Sequence, residues 1–263
     1  MIERLRERVH GAATPRAVLF DFDGTLALMR AGWMPLMLDM MMETLGSLSE
    51  SPAAERCRAE DYVARYTGKD TVIQMQAFAD HVRALGGEPQ SAPDYKAEFL
   101  ARIDGARQRR VDDLNAGRIT CDDLMVPGSR SLLTELRDAG VRIFLASGTA
   151  HDVVCEEAAL LRIDGYFEGI YGSAPSLPSK RGLLERLIGS GIEPEEILTF
   201  GDGQVEIGDT KAVGGIAVGV ASDEPDCREV DPKKRVWLMA AGADYIIPHY
   251  RVPGLLREVA GIG

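Results

Sequence analysis

The sequence predicts an α/β fold, a doubly wound parallel (Rossmann-like) sheet interrupted near its start by an all-helical insert. Short apolar runs rich in β-branched residues alternate with amphipathic helical patterns at both ends of the chain. Each run stops at Gly, Asp or Ser, residue types that turn the backbone. Between about residues 28 and 124 the strand-like runs vanish and only helical periodicity remains.

The chain opens with MIERLRERVH, whose charges alternate and which lacks the apolar stretch of a secretory signal; an amphipathic leading helix is expected there. Ala17–Phe20 (AVLF) is expected as the first long strand, because a parallel strand covered on both faces reads as an unbroken apolar run. Four helices should follow, at Met34–Leu45, Ala53–Tyr66, Thr71–Leu85 and Tyr95–Leu114. The methionines of MPLMLDMMM should pack inside this bundle, where an unbranched thioether fills irregular gaps. Within Thr67-Gly68-Lys69-Asp70, Gly68 can end one helix in a left-handed cap and Asp70 can cap the next, leaving Lys69 at the turn. The α/β pattern then resumes with a helix at Ser131–Ala139, a strand at Val141–Ala146 and a helix at Arg181–Ile188. Strands at Ile197–Phe200 and Ile216–Val220 complete it. The expected division is a sheet-based core of residues 1–27 and 125–263 around a helical unit of residues 28–124.

Composition narrows the function classes. The 263 residues are 45% hydrophobic and 27% charged, as in a soluble globular protein, and no apolar run approaches the roughly 20 residues that cross a bilayer. A net charge of −11 without any Lys/Arg run argues against nucleic acid or an anionic membrane as partner. Cys57, Cys121, Cys155 and Cys227 are widely spaced and form no C-x-x-C pair, which argues against zinc and a disulfide framework; reduced thiols in a cytoplasmic protein, monomeric or homodimeric, are expected.

Chemistry in a doubly wound sheet collects at the carboxyl ends of the strands. Those ends carry Asp21-Phe22-Asp23-Gly24-Thr25, Ser147-Gly148-Thr149, and Gly201-Asp202-Gly203 with Glu206 four residues beyond Asp202. Lys180 opens the helix before the ILTF strand. Singly these are turns, caps and a surface lysine; together they match the needs of phosphoryl transfer. A carboxylate nucleophile splits hydrolysis into two displacements. A second carboxyl two residues away can protonate the leaving oxygen and later deprotonate water. Further carboxylates suit Mg²⁺, which takes oxygen ligands. Hydroxyls such as Thr25 and Ser147, the Gly148 N–H and Lys180 are candidates for the phosphate oxygens, where transition-state charge spreads.

This set resembles the haloacid dehalogenase superfamily, whose four motifs occur here in order as DFDGT, the Ser of SGT, Lys180 and GDGQVE. The resemblance covers about residues 15–27 and 125–250, and the insert sits where the phosphoglycolate phosphatase and β-phosphoglucomutase-like subgroup carries a helical cap. It implies that Asp21 is nucleophile and metal ligand, and that Asp23 is the acid/base and a metal ligand through its carbonyl. Ser147 and Lys180 would bind phosphate, Lys180 as part of the catalytic set, and Asp202 would bind Mg²⁺. Glu206 stands where the family usually has Asp; its extra methylene suits a bond to a metal-bound water, and Asp209, one turn on, is a substitute. The resemblance implies that a loop of the cap reaches the substrate, which nominates Lys69.

Asp23 selects the reaction. The superfamily's dehalogenases lack an acid at that position because a leaving halide needs no proton, and its transport ATPases carry Lys-Thr after the nucleophile. The expected activity is therefore Mg²⁺-dependent hydrolysis of a small phosphorylated metabolite, a sugar phosphate or phosphoglycolate-like monoester, through an aspartyl-phosphate. A phosphomutase, a phosphonate-cleaving enzyme and a non-catalytic phosphometabolite sensor are the alternatives.

Overall fold

A computed structural model describes residues 1–6, 14–48, 51–66 and 70–262. Its centre is a seven-stranded sheet of β1 (Glu3–Arg4), β2 (Ala17–Phe20), β3 (Arg142–Ala150), β4 (Gly169–Ser173), β5 (Ile197–Gly201), β6 (Ile216–Val220) and β7 (Tyr245–Ile247). The spatial order is β1-β7-β6-β5-β2-β3-β4, with every pairing parallel except β1 with β7. Strand order therefore runs outward from β2 in two directions, and the switch point lies between β2 and β5.

The helices cover both faces. Period-two alternation sends Val18 and Phe20 of β2 to one side, against α5 (Ser129–Asp138), α6 (His151–Leu160) and α10 (Leu255–Ala260). Ala17 and Leu19 point to the other side and meet Leu183, Leu184 and Leu187 of α7 (Lys180–Gly189). Farther along that face, Ile207 of α8 (Gln204–Val213) and Leu238 of α9 (Pro232–Ala241) cover β6 and β7. Phe20 and Phe200 stack with ring centroids 4.9 Å apart, and Tyr250 meets the Phe200 ring edge-on. The Tyr250 hydroxyl donates to the Thr25 carbonyl at 3.0 Å, which ties the loop after β2 to this aromatic stack.

Between β2 and α5 stand α1 (Trp33–Leu45), α2 (Pro52–Tyr66), α3 (Thr71–Ala84) and α4 (Ala92–Asn115), around their own hydrophobic cluster. Met37, Met40 and Met41 are buried in it, as the Met-rich segment predicts, and Tyr95 packs edge-on against Phe78. The chain leaves and re-enters the sheet-based part side by side: Leu28 N–H donates to Leu124 and Val126 N–H to Leu26. Arg110 of α4 clamps this crossing by donating to the carbonyls of Met29 and Ala31. Asp70 caps α3 as expected, accepting from Val72 N–H at 2.8 Å. Gly68 and Lys69 lie outside the described residues.

Two expectations need correction. The opening residues do not begin a helix: Glu3–Arg4 is an edge strand on β7, and residues 7–13 lie outside the described residues. Alternating charge suits an edge as well as an amphipathic helix, and here Glu3 pairs with Arg235 and Arg4 with Glu258. The strand expected to end at Ala146 runs on to Ala150 through a register shift, so Ser147-Gly148-Thr149 lies inside β3 and α6 starts after it.

Candidate active site

Asp21 follows the last residue of β2 and Asp202 the last residue of β5, so the switch point sets these two carboxylates side by side. Asp21, Asp202 and Glu206 bring carboxylate oxygens within 4.8 Å of one another, and all three are buried. Lys180, the first residue of α7, lies against them: its Nζ is 2.5 Å from Asp21 Oδ1 and 2.9 Å from Glu206 Oε2. An ammonium has three N–H groups, and these contacts take two. Four of the five residues nominated for catalysis or metal binding thus form one buried unit.

Two glycines make that closeness feasible. A Cβ on Gly201 would lie 2.1 Å from Glu206 Cγ, so only glycine lets α8 bring Glu206 over the end of β5. Glu206 then accepts from the Gly203 N–H at 2.5 Å, half of a capping box. Gly24 has φ +72°, and a Cβ there would strike Asp202 Oδ2 at 2.3 Å. The Thr25 hydroxyl is 3.4 Å from Asp21 Oδ2.

Asp23 faces the same cleft but belongs to a different network. Arg30 holds its Oδ1 at 2.8 Å and the Thr149 hydroxyl its Oδ2 at 2.8 Å. Arg30 is itself gripped by Glu157 through two bonds of 2.7 and 2.8 Å, and Arg107 of α4 joins Glu157 from the other side. Asp23 therefore hangs on a partly buried chain linking α4, the loop after β2 and α6. Ser147, nearly buried, accepts from Thr149 N–H at 3.1 Å, and it lines the cleft with Gly148.

Burial dominates the electrostatics. It holds the Asp21 carboxyl well above the usual carboxylate range against the pull of Lys180. It pushes Asp202 up to about 7, with Lys234 pulling the other way and Glu224 and Glu206 adding repulsion. Lys180 and Lys234 stay firmly protonated, because their carboxylate neighbours outweigh the burial that disfavours the charge.

Lys234 was not foreseen. It is the third residue of α9, is buried, and places Nζ 3.0 Å from Asp202 Oδ2 and 2.5 Å from Glu224 Oε1. In sequence, Asp231-Pro232-Lys233-Lys234 reads only as a helix start. Arg30, Glu157 and Thr149 also escaped, since their meaning lies in contacts across more than a hundred residues. Asp209 is half-buried on α8 outside the carboxylate cluster, which favours Glu206 over it.

The donor set fits a hard divalent cation. Its three buried side chains offer carboxylate oxygens, and in the linked group Asp21, Asp202, Glu206 and Glu224 outnumber the cations Lys180 and Lys234. Above the cluster lies a cleft, open to solvent, between the sheet and the helical unit. Asp21, Asp23 and Asp202 form its floor, and Trp33, Met37, Tyr66, Thr71, Gln74 and Phe99 its roof.

A doubly wound sheet with a buried acidic cluster at its switch point and a helical roof above it defines an α/β protein built around strand-end carboxylates. The chain belongs to the haloacid dehalogenase-like hydrolase family, whose model matches residues 15–214. Its fold is similar to that of a predicted phosphoglycolate phosphatase from Haemophilus somnus (17% identity, TM-score 0.58, covering 93% of this chain and 97% of that one). It is also similar to β-phosphoglucomutase from Clostridium difficile (14%, TM-score 0.57, 94% and 97%). A phosphonoacetaldehyde hydrolase-like protein from Oleispira antarctica aligns too (14%, TM-score 0.62, 98% and 97%). No curated protein matches the chain in sequence.

Proposed function

We propose that this chain is a Mg²⁺-dependent phosphatase that hydrolyses a small phosphorylated metabolite through an aspartyl-phosphate on Asp21. The observation that carries the reading is the buried Asp21–Lys180–Glu206 unit beside Asp202, at the floor of a cleft that also presents Asp23. Asp21 attacks phosphorus, and the bond from phosphorus to the ester oxygen breaks. Asp23 gives the departing oxygen its proton, then takes one from the water that attacks the aspartyl-phosphate, releasing inorganic phosphate and free Asp21. Arg30 and Thr149 fix the direction of the Asp23 carboxyl, while Lys180, Ser147, Thr25 and the Gly148 N–H receive the phosphate oxygens. Asp21, Asp202 and the Asp23 carbonyl would hold Mg²⁺, with Glu206 supporting the site. When bound, the ion offsets repulsion between the anionic nucleophile and the anionic phosphate. The helices of residues 28–124 act as a cap that excludes water from the leaving group. A phosphatase agrees with the family and with Asp23; a mutase would need a cleft that also shields the aspartyl-phosphate from water.

The test is phosphate release from a panel of monoesters in Mg²⁺, with acid-quenched protein digested to look for a phosphorylated Asp21 peptide. Turnover without that peptide, under conditions that trap it in a known aspartyl-phosphate enzyme, refutes the covalent route. Absence of turnover across the panel together with measurable ligand binding favours the sensor.

A further inference from the structure

Gln74 is buried in the first turns of α3, yet its amide Nε2 has no hydrogen-bond partner among the described residues. Buried polar groups are nearly always paired, because dehydrating one without replacement costs free energy. Such an atom in a cleft wall marks a place where a ligand completes the bonding. The other buried side-chain atom without a partner among the described residues, His249 Nδ1, belongs to a residue that does not line this cleft.

The position of Gln74 is well defined. Asp70 caps α3 and also accepts from Ser173 at the end of β4 at 2.5 Å and from Lys96 at 3.1 Å. The start of α3 is thereby pinned to the sheet, one turn before Gln74. Around Gln74 the roof presents Trp33, Met37, Tyr66 and Phe99, with Thr71 one turn away. Among the described residues that line the cleft, Arg30 is the one cation, and Asp23 and Glu157 hold its guanidinium. The charged groups of the floor are already engaged: Asp21 with Lys180, Asp23 with Arg30, and Asp202 with Lys234.

We propose that Gln74 is a specificity residue that donates to an uncharged, hydroxyl-bearing leaving group, so that the substrate is the monophosphate of a sugar or polyol. Aromatic faces accept the C–H surface of such a molecule, the amide and the Thr71 hydroxyl serve its oxygens, and phosphate chemistry stays on the floor. Among the described residues, the roof offers a carboxylate or a second phosphate in the leaving group only the neutral polar groups of Gln74, Thr71 and Tyr66. This inference rests on the phosphatase reading and narrows it.

The experiment compares glycerol 3-phosphate, a hexitol phosphate, propyl phosphate and phosphoglycolate as substrates of the wild-type chain in Mg²⁺, then repeats the set with Gln74→Met. The wild type should prefer the hydroxyl-bearing esters over propyl phosphate. In the variant, the ratio of the two kcat/KM values should fall about tenfold, the loss of one neutral hydrogen bond. The thermal midpoint should hold or rise, because no protein hydrogen bond is removed. An unchanged ratio, a wild-type preference for phosphoglycolate, or a lowered midpoint would each overturn the proposal. Gln74→Leu repeats the test with a different shape; failure of both variants to fold would show that the amide already serves the fold, which also overturns it. Quenching of tryptophan fluorescence, with Trp33 in the cleft wall, reads the same preference as binding. If the wild type turns over none of the esters, the phosphatase reading fails, while a Gln74-dependent binding preference for polyol phosphate would still support this assignment.

Discussion

Replacing Lys180 by Met isolates the electrostatics of the buried unit. The stem of Lys180 is filled about equally well by Met, but the ammonium that joins Asp21 at 2.5 Å and Glu206 at 2.9 Å is gone. All three groups are nearly inaccessible, at 6% for Lys180, 6% for Asp21 and 1% for Glu206, so solvent cannot replace the lost partner. Breaking a buried pair by removing one member costs about 3–5 kcal/mol, and with two carboxylates stranded the upper end applies. At about 2–4 °C per kcal/mol for a chain of this size, the thermal midpoint near pH 7 in EDTA should fall by roughly 10–20 °C.

The sign of the pH dependence follows from linkage. Asp21 already titrates above the usual carboxylate range, and without Lys180 it rises further, so the folded state binds more protons than the unfolded one above the unfolded pKa of about 4. Stability of the variant therefore falls as pH rises through that window, and its deficit shrinks toward about pH 4. Adding Glu206→Gln to Lys180→Met removes one stranded charge and should recover part of the midpoint. Scanning calorimetry of the three proteins at about pH 5 and about pH 7 provides the measurement. A midpoint for Lys180→Met within about 2 °C of wild type near pH 7, less than the shift from 1 kcal/mol, would refute the buried-charge account.

Four further outcomes test the reading of the site. Asp21→Asn keeps the shape and removes the attacking charge, so turnover should fall by several orders of magnitude while circular dichroism is unchanged; retention of more than about a tenth of the activity, with deamidation excluded by mass, would sink the covalent mechanism. EDTA should abolish activity and excess Mg²⁺ restore it. Because burial pushes the Asp202 proton up to about 7, the Mg²⁺ concentration for half-saturation should drop as pH rises from about 5 to about 7, and a flat requirement in a fluorescence titration would argue against Asp202 as ligand. Glu206→Ala removes one of the two carboxylate partners of Lys180 and the acceptor of the Gly203 N–H and should raise the half-saturating Mg²⁺ about 10–100-fold, whereas Asp209→Ala should change it little; the reverse order would mean that the wrong carboxylate has been chosen.

The sequence by itself determined the α/β plan, the strands β2, β5 and β6, the four helices of the insert, and the acidic strand ends. Burial on both faces imprints an unbroken apolar run such as AVLF, and an amphipathic helix imprints its period, so both are readable from a short window. The half-buried edge strand β4, GIYGS, carries no such run, and the buried run of β7, YII, is too short to tell a strand from a loop or helix segment. The opening segment shows the same limit: its alternating charges suit a helix as readily as the edge strand that Arg235 and Glu258 select.

At the site, Asp21, Asp202, Glu206 and Lys180 were legible because each sits at a strand end or helix start. Lys233 and Lys234 were not: one is solvent-exposed and pairs with Glu60, and its neighbour is buried between Asp202 and Glu224. Arg30 with Glu157, and Gln74 in the roof, pose the same problem. Local sequence sets backbone conformation through neighbouring residues. Only the packed fold decides which charges lose their water and which partner replaces it, because that partner comes from a distant part of the chain.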